Sequence, residues 1–513
     1  MQIVQIGVDP LLVDDVVAVA RNGARVEIGP GVLERVGETR HAIEALAASP
    51  EPVYGVSTGF GALATRHIAV EDRQRLQLSL VRSHAAGTGP LVEREVVRAL
   101  MLLRLRTLCS GRTGVRREVV ETYAAMLNAG IAPLVHEYGS LGCSGDLAPL
   151  SAVALAACGE GEVLDRAGVR RPAAAVLAEA GIEPLVLQEK EGLALINGTD
   201  GMTGMLALAL ADLQMLLRTA DVAAAISVEA LLGTDRAFAA DLMALRPHRG
   251  QAASAANLRA LLADSAIMAS HRTEDCPRVQ DAYSLRCSPQ VHGAARDTVE
   301  YARTIALQEM ASTIDNPVVT LDGRVESNGN FHGAPVGYVL DFLAIAVADV
   351  ASISERRTDR MLDVARSHGL PPFLAGDPGV DSGLMIAQYT AASLVSECKR
   401  LAVPASVDSI PSSAMQEDHV SMGWHAARKL RRAVEALASV LAVELLAGTR
   451  ALDLRSPLAP APATAAVRDL LRGNGIAGPG ADRHLAPELA AAAELVGSGA
   501  VEAAAATVVG PLP

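Results

Sequence analysis

Apolar residues recur at helical spacing along most of the chain. Glu93 to Leu108 and Val115 to Leu127 place apolar side chains every three or four residues, and the second segment stops at Asn128-Ala129-Gly130, a typical helix end. Met202 to Leu232 is Ala- and Leu-rich and almost uncharged, so a helix there is expected to be buried on most of its faces. The same spacing predicts further helices at 11–21, 290–313, 334–366, 382–402, 419–449 and 485–507.

Strand signals are few and short. Val26-Glu27-Ile28 is one, and Pro317 to Val325, with a turn at Asp322-Gly323, is typical of a hairpin. The pattern therefore predicts a mainly α fold: a long-helix bundle with a smaller mixed N-terminal region and few short strands. In chain order we expect three regions: an N-terminal region (1–200), a central long-helix bundle (201–456) and a C-terminal helical segment (457–513).

Composition excludes several classes of protein. Half of the 513 residues are hydrophobic, and this fraction is too high for a disordered chain. Only 13 residues are aromatic (seven Tyr, five Phe, one Trp), so modules that stack nucleic-acid bases are not expected. The formal net charge of −13 likewise disfavours a surface that follows a phosphate backbone. We expect no nucleic-acid partner.

The compartment is predicted from what the chain lacks. The most apolar long stretch, Ala334 to Ser354, carries Asp341 and Asp349, so it is expected to be a buried helix rather than a membrane span of about 20 residues. The first residues show no basic leader before an apolar core. Six cysteines are scattered without paired spacing, and the histidines lack metal-ligand spacing. A cytoplasmic protein with reduced thiols, no metal and no membrane partner is expected.

Several short segments break the helical pattern and gather Gly, amides and charges. Four of the 13 aromatics, Tyr54, Phe60, Tyr283 and Phe331, fall within them. An Ala- and Leu-packed bundle has little use for rings, so these aromatics are expected to mark a site. Singly, each segment is more typical of a turn than of a site. The segments are 54–61, 139–150, 197–201, 280–286, 327–332 and 415–419.

The segment 139–150, Gly-Ser-Leu-Gly-Cys-Ser-Gly-Asp-Leu-Ala-Pro-Leu, permits one specific reaction. If the Gly145 amide nitrogen attacks the Cys143 carbonyl, a five-membered ring closes. Loss of two waters, one using the Ser144 hydroxyl, then leaves a methylidene group conjugated to a carbonyl, which is an electrophile. A helix predicted from Leu147 to Cys158 would place its positive dipole end near this group. For this segment alone, a Gly-rich cap before a helix remains the alternative.

Together and in the same order, these segments resemble the aromatic amino-acid ammonia-lyases, the family that carries the 4-methylidene-imidazole-5-one (MIO) group. The resemblance runs over about residues 54–455, and the 139–150 segment is highly specific by itself. Three positions depart from the family: Cys143 replaces the usual Ala, Ala152 lies where a His is common, and Met415 replaces the usual Asn. Because only the Cys143 carbonyl enters the ring, the cofactor is still expected to form.

The resemblance implies a role for each candidate site residue. It implies that MIO forms autocatalytically from Cys143-Ser144-Gly145, with no metal or dissociable cofactor, and that Tyr54 is the β-proton base. Arg286 is implied as the clamp of the substrate carboxylate, since its planar fork pairs bidentately. Tyr283 and Glu417 are implied as further catalytic residues, and the positions implied to bind the substrate are His84, Asn197, Gln280, Arg286, Phe331, Gln416 and Glu417. Relatives share the site between subunits of a homotetramer, so a homotetramer is expected.

Two segments indicate the substrate. Ser83-His84 and Gln416-Glu417-Asp418-His419 are similar to the branch of the family that acts on histidine. An imidazole offers two ring nitrogens to His84 and Glu417, whereas a phenyl ring would leave a buried Glu417 unsatisfied at a cost of a few kcal/mol. The resemblance thus implies conversion of L-histidine to trans-urocanate and ammonia, the first step of histidine degradation.

Three alternatives remain at this point. The first is tyrosine ammonia-lyase or aminomutase activity on the same scaffold, because related tyrosine aminomutases also carry the Ser-His pair. The second is a helical lyase of the fumarase and aspartase type, whose Ser-Ser-x-Met segment is similar to residues 412–415. The third is a non-catalytic helical scaffold, against which the intact Tyr54, Ser144 and Arg286 argue.

Overall fold

Helices dominate the computed structural model, which describes residues 2–7, 9–48, 55, 57–59, 61–63, 65–272 and 279–513. The helices are α1 (Val13–Ala20), α2 (Val32–Ala47), α3 (Arg73–His84), α4 (Arg94–Leu108), α5 (Arg117–Ala129), α6 (Leu147–Ala157), α7 (Ala173–Glu179), α8 (Glu191–Ile196), α9 (Asp200–Ala230), α10 (Ala240–Ala244), α11 (Arg249–Leu261), α12 (Ala266–Ala269), α13 (Tyr283–Arg286), α14 (Ser288–Ala311), α15 (Ala334–Leu362), α16 (Met385–Leu401), α17 (Gly423–Asp453), α18 (Pro462–Gly473), α19 (Ala486–Gly497) and α20 (Ala500–Val509). The prediction of a mainly α fold is confirmed.

Most of the helices predicted from the sequence form close to the expected bounds. The segment 485–507 differs, because two helices, α19 and α20, replace one. Gly499 precedes α20 with φ of 76°, a left-handed conformation that interrupts a right-handed helix. The segment 419–449 also begins later than expected, since α17 starts at Gly423.

The strands are short and form small separate sheets. The predicted hairpin is present as two antiparallel residue pairs, Val318 with Glu326 and Val319 with Val325. The β1 and β2 strands are parallel, β3 pairs with β5, and β4, β6 and β7 form a three-stranded sheet that the sequence did not predict. The strands are β1 (Ile3–Ile6), β2 (Arg25–Ile28), β3 (Thr88–Leu91), β4 (Ala132–Pro133), β5 (His136–Tyr138), β6 (Glu162–Leu164), β7 (Arg170–Pro172), β8 (Val318–Val319) and β9 (Val325–Glu326).

The chain divides into two compact units, each made of three segments. Unit 1 comprises Met1–Ala211, Arg303–Asp341 and Pro404–Arg428, and it contains every strand listed above. Unit 2 comprises Asp212–Ala302, Phe342–Val403 and Lys429–Pro513. The three regions expected in chain order (1–200, 201–456 and 457–513) stay a prediction.

Each unit has its own aliphatic core. In unit 1, α4 is buried along nearly its whole length, and the fully buried Trp424 donates its indole Nε1–H to the Glu137 carbonyl oxygen at 2.8 Å. In unit 2, the buried Glu444 carboxylate pairs with Arg357, whose Nη2 lies 2.9 Å from Oε2. Because both charges are satisfied internally, they do not disrupt the apolar packing around them.

Among the residues that the structure describes, one helix is apolar and long enough to cross a membrane by length and composition, namely α15 (Ala334–Leu362). Of its most apolar window, 67% is buried inside the fold, as in a core helix. The α19 and α20 helices pass the same test only when they are counted as one span, and they bend by 61° at the break. The burial of α15 agrees with the buried helix predicted for this stretch.

Candidate active site

The turn at residues 142–145 folds the chain back on itself in unit 1. Gly142 and Gly145 pair in an isolated bridge, and the Gly145 amide lies 3.4 Å from the Gly142 carbonyl oxygen. Ser144 and Gly145 have φ of 53° and 85°, a left-handed conformation that an L side chain adopts only at a cost. The chain therefore reverses within Cys143-Ser144, and the Gly145 nitrogen is turned back towards the residues that precede it.

The 142–145 turn packs directly against a second turn, at residues 197–200. The Gly198 amide donates to the Ser144 carbonyl oxygen at 3.1 Å, and the Asp146 amide donates to the Gly198 carbonyl oxygen at 2.8 Å. A Cβ added to Gly145 would lie 2.0 Å from that same Gly198 oxygen. Position 145 therefore has no room for a side chain, in addition to its unfavourable φ.

Asp146 anchors the end of the 142–145 turn, a role that the sequence did not reveal. Its buried carboxylate accepts from the Ser140 hydroxyl at 3.1 Å and from the Met202 amide, in the first turn of α9, at 2.9 Å. Burial raises the pKa of Asp146 to about 7, although these hydrogen bonds favour the ionised form. The only signal in the sequence was a carboxylate placed between a glycine and an apolar helix.

Cys143 connects the turn to the segment 412–417. Its Sγ lies 3.0 Å from the Ser412 hydroxyl oxygen, and the Ser412 amide donates to the Glu417 carbonyl oxygen at 3.0 Å. Burial raises the pKa of the Cys143 thiol; the hydrogen bond with Ser412 opposes that shift and the negative charge of Glu417 adds to it. Glu417 is thus close enough to the turn to act on it electrostatically. Ser412 was not predicted as a site residue.

Glu417 has an unused hydrogen-bonding atom. Its Oε2 is buried and has no hydrogen-bond partner, and burial raises the pKa of this carboxyl group above its usual value. A buried carboxylate oxygen without a donor costs free energy, so it is typical of a position that a ligand completes. Its neighbour Gln416 is exposed.

His84 and Asn197 are each held at the end of a helix. His84 is the last residue of α3, and its Nδ1 lies 2.9 Å from the Leu80 carbonyl oxygen. Because a carbonyl only accepts, Nδ1 carries the hydrogen, and Nε2 of the neutral ring is an acceptor. Burial lowers the pKa of His84, which favours this neutral form.

Asn197 follows α8, and its Nδ2 donates to the Asn316 carbonyl oxygen at 3.0 Å.

The segment that carries Phe331 reaches the same turns. Phe331 is half-buried, and two residues later a Cβ added to Gly333 would lie 2.5 Å from the Met202 sulfur and 3.0 Å from the Ser421 hydroxyl oxygen. A Cβ added to Gly142 would lie 2.8 Å from that same Ser421 oxygen. Unit 1 therefore brings the turn at 142–145 together with the segments around 198, 333 and 412–421.

Three candidate residues, Gln280, Tyr283 and Arg286, lie in unit 2. Gln280 and Arg286 line one cavity of about 620 Å³ together with Arg236. The Arg286 guanidinium carbon lies 4.7 Å from the centre of the Tyr283 ring, and the Arg286 Nε is buried without a hydrogen-bond partner. The Tyr283 side chain is otherwise exposed (71%), so this pair presents a cation and an aromatic ring to the surroundings.

Tyr54 and Phe60 lie outside the described residues. The neighbour of Tyr54, Gly55, is buried, and a Cβ added to it would lie 2.7 Å from a Leu193 methyl carbon and 3.1 Å from the Pro317 ring. Within the described ranges, no group of three or more His, Cys, Asp or Glu side chains is arranged to hold a metal ion.

The comparisons with known proteins identify the chain as a lyase that breaks carbon–nitrogen bonds. A model of the aromatic amino acid lyase family matches residues 11–473, so the chain belongs to that family. It is 65% identical over 512 residues to a histidine ammonia-lyase of Streptomyces coelicolor, covering 100% of both chains.

Solved structures share the fold. A histidine ammonia-lyase from Trypanosoma cruzi superposes with a TM-score of 0.90 at 39% identity, covering 99% of this chain and 96% of that one. A tyrosine aminomutase from Streptomyces globisporus reaches 0.93 at 39% identity, covering 98% of each. The fold alone therefore does not select between these two substrates. The prediction of an aromatic amino-acid lyase is confirmed, which sets aside the fumarase type and the bare scaffold.

Asp146→Asn should reduce the loss of stability at high pH. A pKa near 7 in the fold, against 3.8 in the unfolded chain, contributes stability that is fully present below about pH 4 and is lost as the pH rises through 7. The loss amounts to roughly 4 kcal/mol by pH 8, from the usual 1.4 kcal/mol per pKa unit. The asparagine can keep an acceptor for the Met202 amide.

The measurement is the apparent Tm at pH 5 and pH 8. The difference between the two should be smaller in D146N than in the wild type, whereas D469N, at an exposed side chain, serves as the control. An equal loss of Tm in D146N and the wild type would show that Asp146 does not titrate as described.

Proposed function

We propose that this chain deaminates L-histidine to trans-urocanate and ammonia. The observation that carries the proposal is the buried, unpartnered Oε2 of Glu417, in a segment that contacts the turn at Cys143. An imidazole N–H would satisfy this atom, and the unsubstituted phenyl ring of phenylalanine would not. The 65% full-length identity to a histidine ammonia-lyase supports the same substrate.

The residues 143–145 fit the formation of MIO. In that reaction the Gly145 nitrogen bonds to the Cys143 carbonyl carbon. The first water leaves with that carbonyl oxygen and the two amide hydrogens of Ser144 and Gly145; the second leaves with the Ser144 hydroxyl and its Hα. The reversed chain at Ser144 and the lack of space for any side chain at Gly145 both suit this closure. Once formed, the group supplies an electrophilic methylidene carbon.

The two proposed ring contacts are chemically complementary to an imidazole. His84, neutral with its hydrogen on Nδ1, offers an acceptor at Nε2, and ionised Glu417 offers an acceptor at Oε2. Two acceptors match the two N–H groups of a protonated imidazole ring. Burial raises the pKa of Glu417, and a protonated Glu417 would instead donate to a ring nitrogen of neutral histidine. Neither arrangement has a counterpart in phenylalanine.

The remaining residues are proposed to hold the amino-acid backbone and move the proton. Tyr54 accepts the β-proton while the C–H electron pair becomes the second bond between Cα and Cβ, and the nitrogen leaves with its bonding pair. Arg286 pairs with the carboxylate, a role open to a guanidinium whose Nε has no partner. Asn197, Gln280, Tyr283, Phe331 and Gln416 complete the proposed lining.

We further propose a cytoplasmic homotetramer with active sites shared between subunits. Exposed apolar residues support association: Phe342 and Ile345 on α15, and Ile386 and Tyr389 on α16, each pair three residues apart and on one helix face. The described cysteines, Cys109, Cys143, Cys158, Cys287 and Cys398, are free thiols, which suits a reducing compartment.

Cys143→Ala should still form the cofactor, whereas Ser144→Ala should not. Only the carbonyl of residue 143 enters the ring, but Ser144 supplies the methylidene carbon and one leaving oxygen. Intact-mass spectrometry should show the wild type and C143A each lighter than their sequences by two waters, and S144A at its full sequence mass. An active wild type that retains both waters would disprove the cofactor assignment.

Glu417→Gln should lower kcat/KM for L-histidine by about 10- to 100-fold, because a hydrogen bond to a charged group contributes about 1.5–3 kcal/mol. The measurement is absorbance of the unsaturated product with histidine, tyrosine and phenylalanine as substrates. D418N, at the exposed next residue, is the matched control and should retain wild-type kinetics. Faster wild-type turnover of tyrosine than of histidine would instead establish the tyrosine ammonia-lyase or aminomutase alternative.

A further inference from the structure

Four buried charged side chains in unit 1 surround the short helix α8 and the turn that follows it. Arg104, Lys190 and Asp315 are fully buried and Asp200 is 6% exposed. Arg104 forms an ion pair with Asp200, and the Lys190 Nζ lies 2.5 Å from Asp315 Oδ2. The charge of Arg104 also acts on Lys190 and Asp315, so the two pairs form one electrostatic group, here called the four-charge cluster.

Stability alone is a weak explanation for this cluster. Burial disfavours the charged forms: it lowers the pKa of Lys190 and raises the pKa values of Asp200 and Asp315. Buried ion pairs are on average no more stabilising than apolar residues of the same size, because the desolvation cost offsets the attraction. The function of the cluster is therefore better sought in the segments that it holds in place.

The cluster fixes both ends of α8. Lys190 immediately precedes the helix and binds Asp315; the next residue, Asn316, accepts through its carbonyl oxygen from Asn197, which follows the helix. Asn316 is held in turn, because its Oδ1 accepts from the Ser327 hydroxyl at 2.9 Å and the Asn328 amide at 3.0 Å.

Arg104 secures the same region from the other side. Its Nη1 donates to the Ala194 carbonyl oxygen at 3.1 Å, near the end of α8, and to the Ile314 carbonyl oxygen at 3.3 Å. Through Asp200 it also holds the first residue of α9. Hydrogen bonds or ion pairs therefore hold the turn at 197–200 at the residues before it, within it and after it.

Through Gly198, the four-charge cluster also restrains the turn at 142–145. A Cβ added to Gly198 would lie 1.7 Å from Arg104 Nη2, and a Cβ added to Gly145 would lie 2.0 Å from the Gly198 oxygen. The guanidinium, the Gly198 peptide and Gly145 therefore lie in successive contact with no space between them. Any shift of the guanidinium would move the Gly198 groups that bind the Ser144 carbonyl oxygen and the Asp146 amide.

We propose that the four-charge cluster is a set of positioning residues: it holds the 197–200 turn as a rigid support for closure of the 143–145 ring and directs the Asn197 amide. The inference rests on the proposed function, since it assigns the cluster a part in forming and using that same site. The cluster touches neither the substrate nor the reacting atoms. Its loss acts first on ring formation and then on kcat.

The first test is the charge-neutral pair K190M/D315N, which removes one ion pair without leaving an unpaired buried charge. Intact-mass spectrometry should find a mixture of chains with and without the loss of two waters. The kcat per dehydrated chain should fall by about 10- to 100-fold with KM little changed, as for a displacement of about 1 Å at a reacting group.

The second test compares two lysine replacements of buried arginines. R104K keeps the charge opposite Asp200 but cannot maintain the bonds to Ala194 and Ile314. R98K is the matched control, because Arg98 is also buried (4% exposed) and binds the carbonyl oxygens of Val19 and Leu127, away from the 197–200 turn. R104K should show incomplete dehydration and the lower kcat. R98K should show neither defect, even when its Tm falls by as much as that of R104K.

The outcomes separate the two proposals. A wild-type chain that retains both waters would refute the proposed cofactor. A dehydrated wild type, with K190M/D315N and R104K equally dehydrated and of normal kcat, would refute the positioning role alone. Equal defects in R104K and R98K would also refute it, since they would reflect general destabilisation. If the double variant does not fold, the comparison of R104K with R98K decides.

Discussion

The contact between the peptide groups of Gly145 and Gly198 is the constraint on which the rest of the candidate site depends. Two hydrogen bonds run across it in opposite directions, from the Gly198 amide to the Ser144 oxygen and from the Asp146 amide to the Gly198 oxygen. Such an approach is possible only because neither residue has a side chain. The conformation of the 142–145 turn and the placement of Asp146 both follow from it.

Much of the fold could be predicted because the helices are long and their apolar spacing is regular. The Ala- and Leu-rich segment from Met202 is one such helix, and its burial follows from its high content of apolar residues. The sheet of β4, β6 and β7 was missed because two- and three-residue strands have no periodicity, and their pairing joins distant segments. The break between α19 and α20 depends on one glycine conformation, which composition does not reveal.

The candidate site was predictable where its chemistry resides in a contiguous segment. The Cys143-Ser144-Gly145 turn has the reversed geometry that suits the proposed ring closure. The contact between Cys143 and Ser412 was not predictable, because it joins residues 269 positions apart and neither is unusual in its own segment. The scarcity of aromatics was also a poor guide, since Trp424 and Phe238 are fully buried core residues.

The order of residues along the chain has a consequence for biosynthesis. The turn at 143–145 leaves the ribosome early, but its supports come from Gly198, Asp315 and Ser412. If those contacts shape the ring, the cofactor matures only after most of the polypeptide has been made. The electrophile would then appear only in a largely folded chain, so the thiols and amines of the surrounding cell would not meet it during synthesis.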